Sequence, residues 1–258
     1  MELFLSGVLS LGSVAYFHRL AADSDSQSRS RAIDQAYGPS DVVFTTILVL
    51  WLLTNIVGSA NRGVELNTHM LIVGAIFTFF LVAIVLSFLI LRHRNPLDLF
   101  GLRGVRPTQN LKAASVGLVA ALPVVYFIHS LCLLIIGEDA EPQPLLQFLA
   151  QNATLLDRLL LIGTALVVAP VAEELIFRGY IFGVLRRYTG RWWAMVISAL
   201  IFAAIHAHIP SLAGLFALAV ALTLVYEGTG SLWAPVVMHS LFNGITVILT
   251  LAWPDLVK

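Results

Sequence analysis

The sequence predicts an all-α fold, a polytopic membrane helix bundle of about eight transmembrane helices. Three observations carry that prediction. Of the 258 residues, 59% are hydrophobic and 12% are charged, about half the charged fraction of a soluble domain. The mean hydropathy is +0.89. The apolar residues also fall into runs near the ~20 residues that a helix needs to cross a bilayer.

Taken in order, the predicted spans are 3–17, 41–60, 69–91, 111–137, 157–177, 192–207, 212–227 and 232–252. The first is short, but it lacks the basic n-region and the A-x-A site of a signal peptide and is kept as a helix. Between the spans lie a polar stretch, Asp23 to Arg31, and a basic loop, Arg92 to Pro107. An acidic loop runs from Gly137 to Leu145. No internal repeat or heptad pattern interrupts the series. Formal net charge is zero, so there is no basic footprint for nucleic acid and no nucleic-acid partner is expected. The single cysteine, Cys132, rules out an internal disulfide framework or a CxxC site.

Orientation follows from lysine and arginine. With eight spans, one side collects Arg19, Arg29, Arg31, Arg92, Arg94, Arg103, Arg106, Lys112, Arg178, Arg186, Arg187 and Arg191; the other has only Arg62, Arg158 and Lys258. The basic side is read as cytoplasmic, with both termini outside, in the cell (inner) membrane. The lipid bilayer is the expected surrounding.

Charges within the spans are the exceptions that need explaining, because each costs roughly 2.5–3.5 kcal/mol at the bilayer centre on insertion scales. Three clusters stand out: Glu173 and Glu174 with Arg178, then Phe202 with His206, then His239 with Asn243. Helical residues four apart share a face. Glu174 and Arg178 therefore share one, as do Phe202 and His206, and His239 and Asn243. Glu173 points ~100° round from Glu174. Clusters on consecutive helices can converge on one buried site. There a carboxylate beside an imidazole can hold and deprotonate a water, and a second imidazole with an amide can donate to an oxyanion. The same residue types could bind zinc, although the HExxH pattern is absent.

Taken singly, each feature has a plainer reading. The glutamates could form a structural ion pair with Arg178, His206 a hydrogen-bonded core contact, and Asn243 a link between helices. His208, beside Pro210, is read as part of a turn. Gly179 and Gly183 suggest close helix packing, and Pro170 a kink just before the glutamates. Trp192, Trp193 and Trp233 suit interfacial anchors.

In order, the three clusters read EExxxR (Glu173 to Arg178), FxxxH (Phe202 to His206) and HxxxN (His239 to Asn243). The chain resembles the CPBP family, also called the Abi or type II CAAX prenyl endopeptidase family of intramembrane proteases, over roughly residues 155–252. The resemblance implies hydrolysis of a peptide bond in a membrane-associated protein or peptide, of CAAX, leader or C-terminal type. It implies that Glu173 and His206 activate water, that His239 and Asn243 form the oxyanion site, and that Glu174 with Arg178 supports them. Phe202 would contact substrate. It implies a metal-independent reaction with no cofactor, zinc being the alternative. It divides the chain into N-terminal helices of unassigned role, 1–150, and a catalytic core, 151–258. A G-x-S-x-G serine motif is missing, and no predicted span core contains an aspartate for an aspartyl protease. The reading from another class is a transporter or proton relay using the buried Glu, His and Arg. Against it, the polar groups fall in one half, whereas transporters often show two related halves.

Overall fold

The computed structural model describes residues 16–17, 36–60, 66–103, 106–137, 143–151 and 153–254. These form helices and connecting turns, with no strand among the described residues. The helices are α1 (Pro39–Ala60), α2 (Thr68–Leu91), the short α3 (Pro96–Leu99), α4 (Pro107–Ile136), α5 (Pro144–Gln151), α6 (Leu155–Thr189), α7 (Arg191–Ala204), α8 (Ile209–Thr229) and α9 (Trp233–Ala252).

Local sequence sets most boundaries. Asn67 caps α2, its side chain accepting from the Met70 amide, and proline occupies the first turn of α3, α4 and α8. A capping box of Thr154 and Asp157 opens α6. Gly190, at φ 79°, separates α6 from α7, and Gly230, at φ 67°, closes α8 in the left-handed conformation.

Among the described residues, α2, α4, α6, α8 and α9 are long and apolar enough to cross a membrane. α1, over Pro39–Asn55, and α7 are shorter apolar helices. The predicted span 3–17 lies outside the described residues apart from Tyr16 and Phe17. The other seven coincide with α1, α2, α4, α6, α7, α8 and α9. The protein is an integral membrane protein. The sequence ended one span at 177, where charge begins; α6 continues to Thr189 as a 35-residue helix. Conversely α7 stops at Ala204, short of 207. At ~1.5 Å per residue it is ~21 Å long, less than the ~30 Å hydrocarbon layer.

In the bundle α8 lies between α4 and α7, α4 and α6 both pack on α9, and the last turns of α6 pack on α7. α2 lies along α6, while α1 reaches the last turns of α6. The largest core cluster joins Leu81, Val85 and Leu89 of α2 to Phe177, Tyr180 and Ile181 of α6. Exposed side chains such as Ile47, Leu50, Ile76 and Phe79 give α1 and α2 an apolar outer face suited to lipid.

The glycine pair on α6 serves close approach. A Cβ at Gly179 would lie 3.1 Å from the Phe100 ring, and one at Gly183 would lie 2.5 Å from the Tyr37 ring. Tyr37 also donates its hydroxyl to the Gly179 carbonyl at 2.8 Å. Burial raises the Tyr37 phenol well above its ordinary range, so it stays a donor. At this end Arg92 pairs with Asp41, and Arg186 and Arg191 both pair with Glu227. This is the basic end of the bundle.

Candidate active site

α6 is not a uniform α-helix. It widens into π turns at Thr164–Val168 and Leu175–Ile181, on either side of the α-helical segment Ala169–Glu174. Such turns are rare and recur at functional sites. The first has a sequence cause in Pro170. The Ala169 amide bonds five residues back to the Thr164 carbonyl, so the next donor in that register, for the Ala165 carbonyl, would be residue 170. Proline has no N–H. The orphaned Ala165 carbonyl instead accepts from Nδ2 of Asn243 at 2.8 Å. The kink expected at Pro170 is thus a wide turn, closed from α9.

Glu174 is fully buried and Arg178 nearly so. Arg178 Nη1 donates to Glu174 Oε1 at 2.8 Å, and its Nη2 donates to the Ala219 carbonyl on α8 at 3.2 Å. The guanidinium lies over the Phe202 ring, 4.4 Å from its centroid. His239, on α9, places Nδ1 2.9 Å from the same Glu174 oxygen. Its Nε2 is 3.9 Å from Oε2 of Glu173. Oε2 of Glu173 and Oε2 of Glu174 are both buried with no hydrogen-bond partner. The site therefore holds two unpartnered carboxylate oxygens beside an imidazole.

Phe202 is buried, with its ring edge-on to Phe177 and to His239. The sequence placed His206 on the same helical face. The structure instead puts it in the turn after α7, because the helix ends at Ala204 and Ala207 adopts φ 51°. The contact survives the break: His206 Nδ1 is 2.8 Å from the Phe202 carbonyl, and the two rings lie 4.8 Å apart. A carbonyl can only accept, so Nδ1 carries a proton in this contact. Irregular backbone at membrane depth is tolerated where it is buried in protein or lines a cavity. Neighbouring Ile205 does line one, a cavity of about 930 Å³ between α1, α2 and α6, with Glu173 in its wall.

The structure thus joins Glu174, Arg178 and His239 by hydrogen bonds, sets Glu173 opposite His239, and links His206 to them through Phe202. Asn243 spends one N–H on Ala165. His208 stays in its turn, its Nδ1 2.7 Å from the Ser211 hydroxyl. Among the described residues, no three His, Cys, Asp or Glu side chains form a group able to hold a metal ion. Sequence reasoning missed the Ala165 and Ala219 carbonyls, which carry no side-chain signal, and Tyr37, which meets α6 from 142 residues away.

Fold and site together define a membrane-embedded helical protein built around a buried Glu–Arg–His cluster. Residues 155–245 match the type II CAAX prenyl endopeptidase Rce1-like family. It is 35% identical over 92 residues to the putative membrane peptidase YdiL of Bacillus subtilis, which covers 36% of this chain and 38% of that protein. It is 34% identical over 98 residues to the membrane-embedded CAAX protease MroQ of Staphylococcus aureus, covering 36% of this chain and 40% of that one. The chain therefore spans about two fifths of the length of the curated relatives it matches. No solved structure matches it.

Proposed function

We propose that the protein is an intramembrane endopeptidase that hydrolyses a peptide bond of a membrane-associated substrate with water activated by carboxylate and imidazole. Its likeness to a membrane peptidase and a CAAX protease supports the reaction class. The observation that carries the reading is the buried, unpartnered Oε2 of Glu173, set 3.9 Å from His239 Nε2 on a cavity wall. A water there would meet a carboxylate base. In this reading Glu173 takes its proton, assisted by His206 Nε2, the hydroxide attacks the scissile carbonyl, and the proton passes from Glu173 to the amine nitrogen as the C–N bond breaks. The second N–H of Asn243 donates to the oxyanion, and His239, whose Nδ1–H is held by Glu174, donates from Nε2 when that nitrogen also carries a proton. Glu174 and Arg178 hold His239 in place. No cofactor takes part, since carboxylate and imidazole supply both base and acid.

The test is a proteoliposome assay with membrane peptides of CAAX, leader and C-terminal type, comparing wild type with Glu173→Gln. Cleavage should fall ~100-fold or more while the variant inserts normally. Near-normal cleavage by the variant would remove Glu173 from its role. Solute movement by a wild type that cuts none of the peptides would replace the reading with a transporter. Zinc at one per chain, needed for activity and restoring it after chelation, would replace the metal-free reaction.

A further inference from the structure

The cavity at Glu173 has a direction. Its α1 wall is Trp51, Leu52, Thr54 and Asn55, far from the Pro39 end. Its α2 wall runs from Met70 to Leu81, in the part of the helix that begins at Thr68 and lies away from Arg92. By the positive-inside rule the Arg92 end is cytoplasmic, so the cavity occupies the outer part of the membrane. Toward the cytoplasm the same three helices are filled: Leu48, Val85, Leu89 and Tyr180 are all buried in one cluster. Along the α1–α2 side, the cavity therefore lies on the outer side of Glu173, and packed side chains lie on its inner side.

We infer that this cavity receives an extended, uncharged peptide segment of the substrate and brings its scissile bond to Glu173 from the outer half of the bilayer. The inference rests on the peptidase reading and narrows its substrate class. The substrate is a membrane-embedded polypeptide whose apolar chain continues outward past the bond, and not a tail anchored only at the cytoplasmic face. Length agrees. From Met70 to Leu81 the wall runs ~17 Å at helical rise, room for about five extended residues at ~3.3 Å each.

Chemistry separates peptide from lipid. Thr54 and Thr78 donate their hydroxyls to the Trp51 and Gly74 carbonyls of their own helices, and Asn55 donates Nδ2 to Trp51. These bonds use the donors of Thr54 and Thr78 and leave oxygen lone pairs to accept N–H groups. An extended backbone inside a membrane must find partners for its amides, whereas an acyl or isoprenoid chain has none to offer. Trp51, Phe77 and Phe177 supply the apolar surface between those acceptors.

Gly74 provides the test, because a Cβ built there meets nothing within 4 Å, so bulk can be added to the wall without displacing a neighbour. Two peptides would be compared in proteoliposomes, both built on a sequence that wild type cuts. One continues ~20 apolar residues across the bilayer; the other stops two residues past the bond on the outer side. Gly74→Trp should cut the long peptide at least 10-fold less efficiently, through KM, and cut the short one as wild type does. Thr54→Trp, on the opposite wall, should do the same, and serves if Gly74→Trp fails to fold by thermal melting. Equal cleavage of both peptides by the folded variants overturns the inference and leaves the peptidase reading intact; that is also the outcome if lipid fills the cavity. Loss of both peptides together overturns it as well, because the change then acts on the reacting centre. A wild type that cuts no peptide from any class removes the peptidase reading and this inference with it.

Discussion

His239 Nδ1 and Arg178 Nη1 approach the same atom, Glu174 Oε1, at 2.9 and 2.8 Å. One carboxylate oxygen therefore ties α9 to α6, while Arg178 carries the tie on to α8 through the Ala219 carbonyl. Glu174 makes both contacts through Oε1, and its Oε2 is buried without a hydrogen-bond partner. Glu173, one residue earlier and 23% exposed at its side chain, lines the cavity. Adjacent glutamates thus occupy different environments, Glu174 inside a hydrogen-bonded cluster and Glu173 on a cavity wall.

That division predicts unequal effects on stability. Removing one partner of a buried pair strands a charge and costs ~3–5 kcal/mol, whereas replacing both can be near neutral. Arg178→Met and Glu174→Gln should each lower the melting temperature in detergent strongly. The double variant should recover much of the loss. A double variant less stable than either single one would show that the two side chains do not act as a pair.

His206 should behave in the opposite way. It sits in the turn after α7, partly buried, with one ring nitrogen on the Phe202 carbonyl. His206→Asn removes the Nε2 base and little packing. Melting should shift slightly, while cleavage falls ~100- to 10,000-fold, the usual contribution of a general base. Turnover and melting measured on the same preparation check both halves.

The order of the polar clusters was legible because charge in an apolar span is costly and so conspicuous. The Glu174–Arg178 contact was legible too, since i, i+4 geometry survives the local widening of the helix. The π turns themselves were not: a one-residue slip in hydrogen-bond register leaves the apolar pattern unchanged. His206 was assigned to a helix because alanine at 207 gives no sign of a positive φ. Asn243 was read for its chemistry, and its partner is a backbone carbonyl that becomes an orphan only through Pro170. The glycine pair was correctly read as packing, but the partners, Phe100 and Tyr37, come from distant segments that no local pattern connects.

That packing gives a third prediction. Gly183→Ala would put a methyl 2.5 Å from the Tyr37 ring, and overpacking of this kind costs ~1–3 kcal/mol. Tyr37→Leu should relieve the clash, so Gly183→Ala should destabilise less in that background. Thermal melting of the four proteins measures the difference. Equal destabilisation in both backgrounds would place the cost elsewhere.

The last prediction separates two roles of Asn243. One N–H closes the carbonyl that Pro170 leaves without a donor, and the other is proposed to meet the oxyanion. The two roles respond differently to a change at 170. Pro170→Ala restores a backbone N–H, which in the same five-residue register can bond the orphaned Ala165 carbonyl. Asn243→Ala should then cost ~0.5–1.5 kcal/mol of stability, the net worth of one hydrogen bond, in the Pro170 protein and much less in the Pro170→Ala protein. The loss in cleavage should not follow. An oxyanion donor is worth ~2.7–4 kcal/mol of transition-state stabilisation, and nothing at 170 replaces it. A cycle of the two substitutions, read once by melting and once by kcat, therefore gives coupling in stability and none in catalysis. Coupling of the same size in both readouts would mean that Asn243 acts on the reaction only by holding the wide turn, and the oxyanion role would pass to His239 alone.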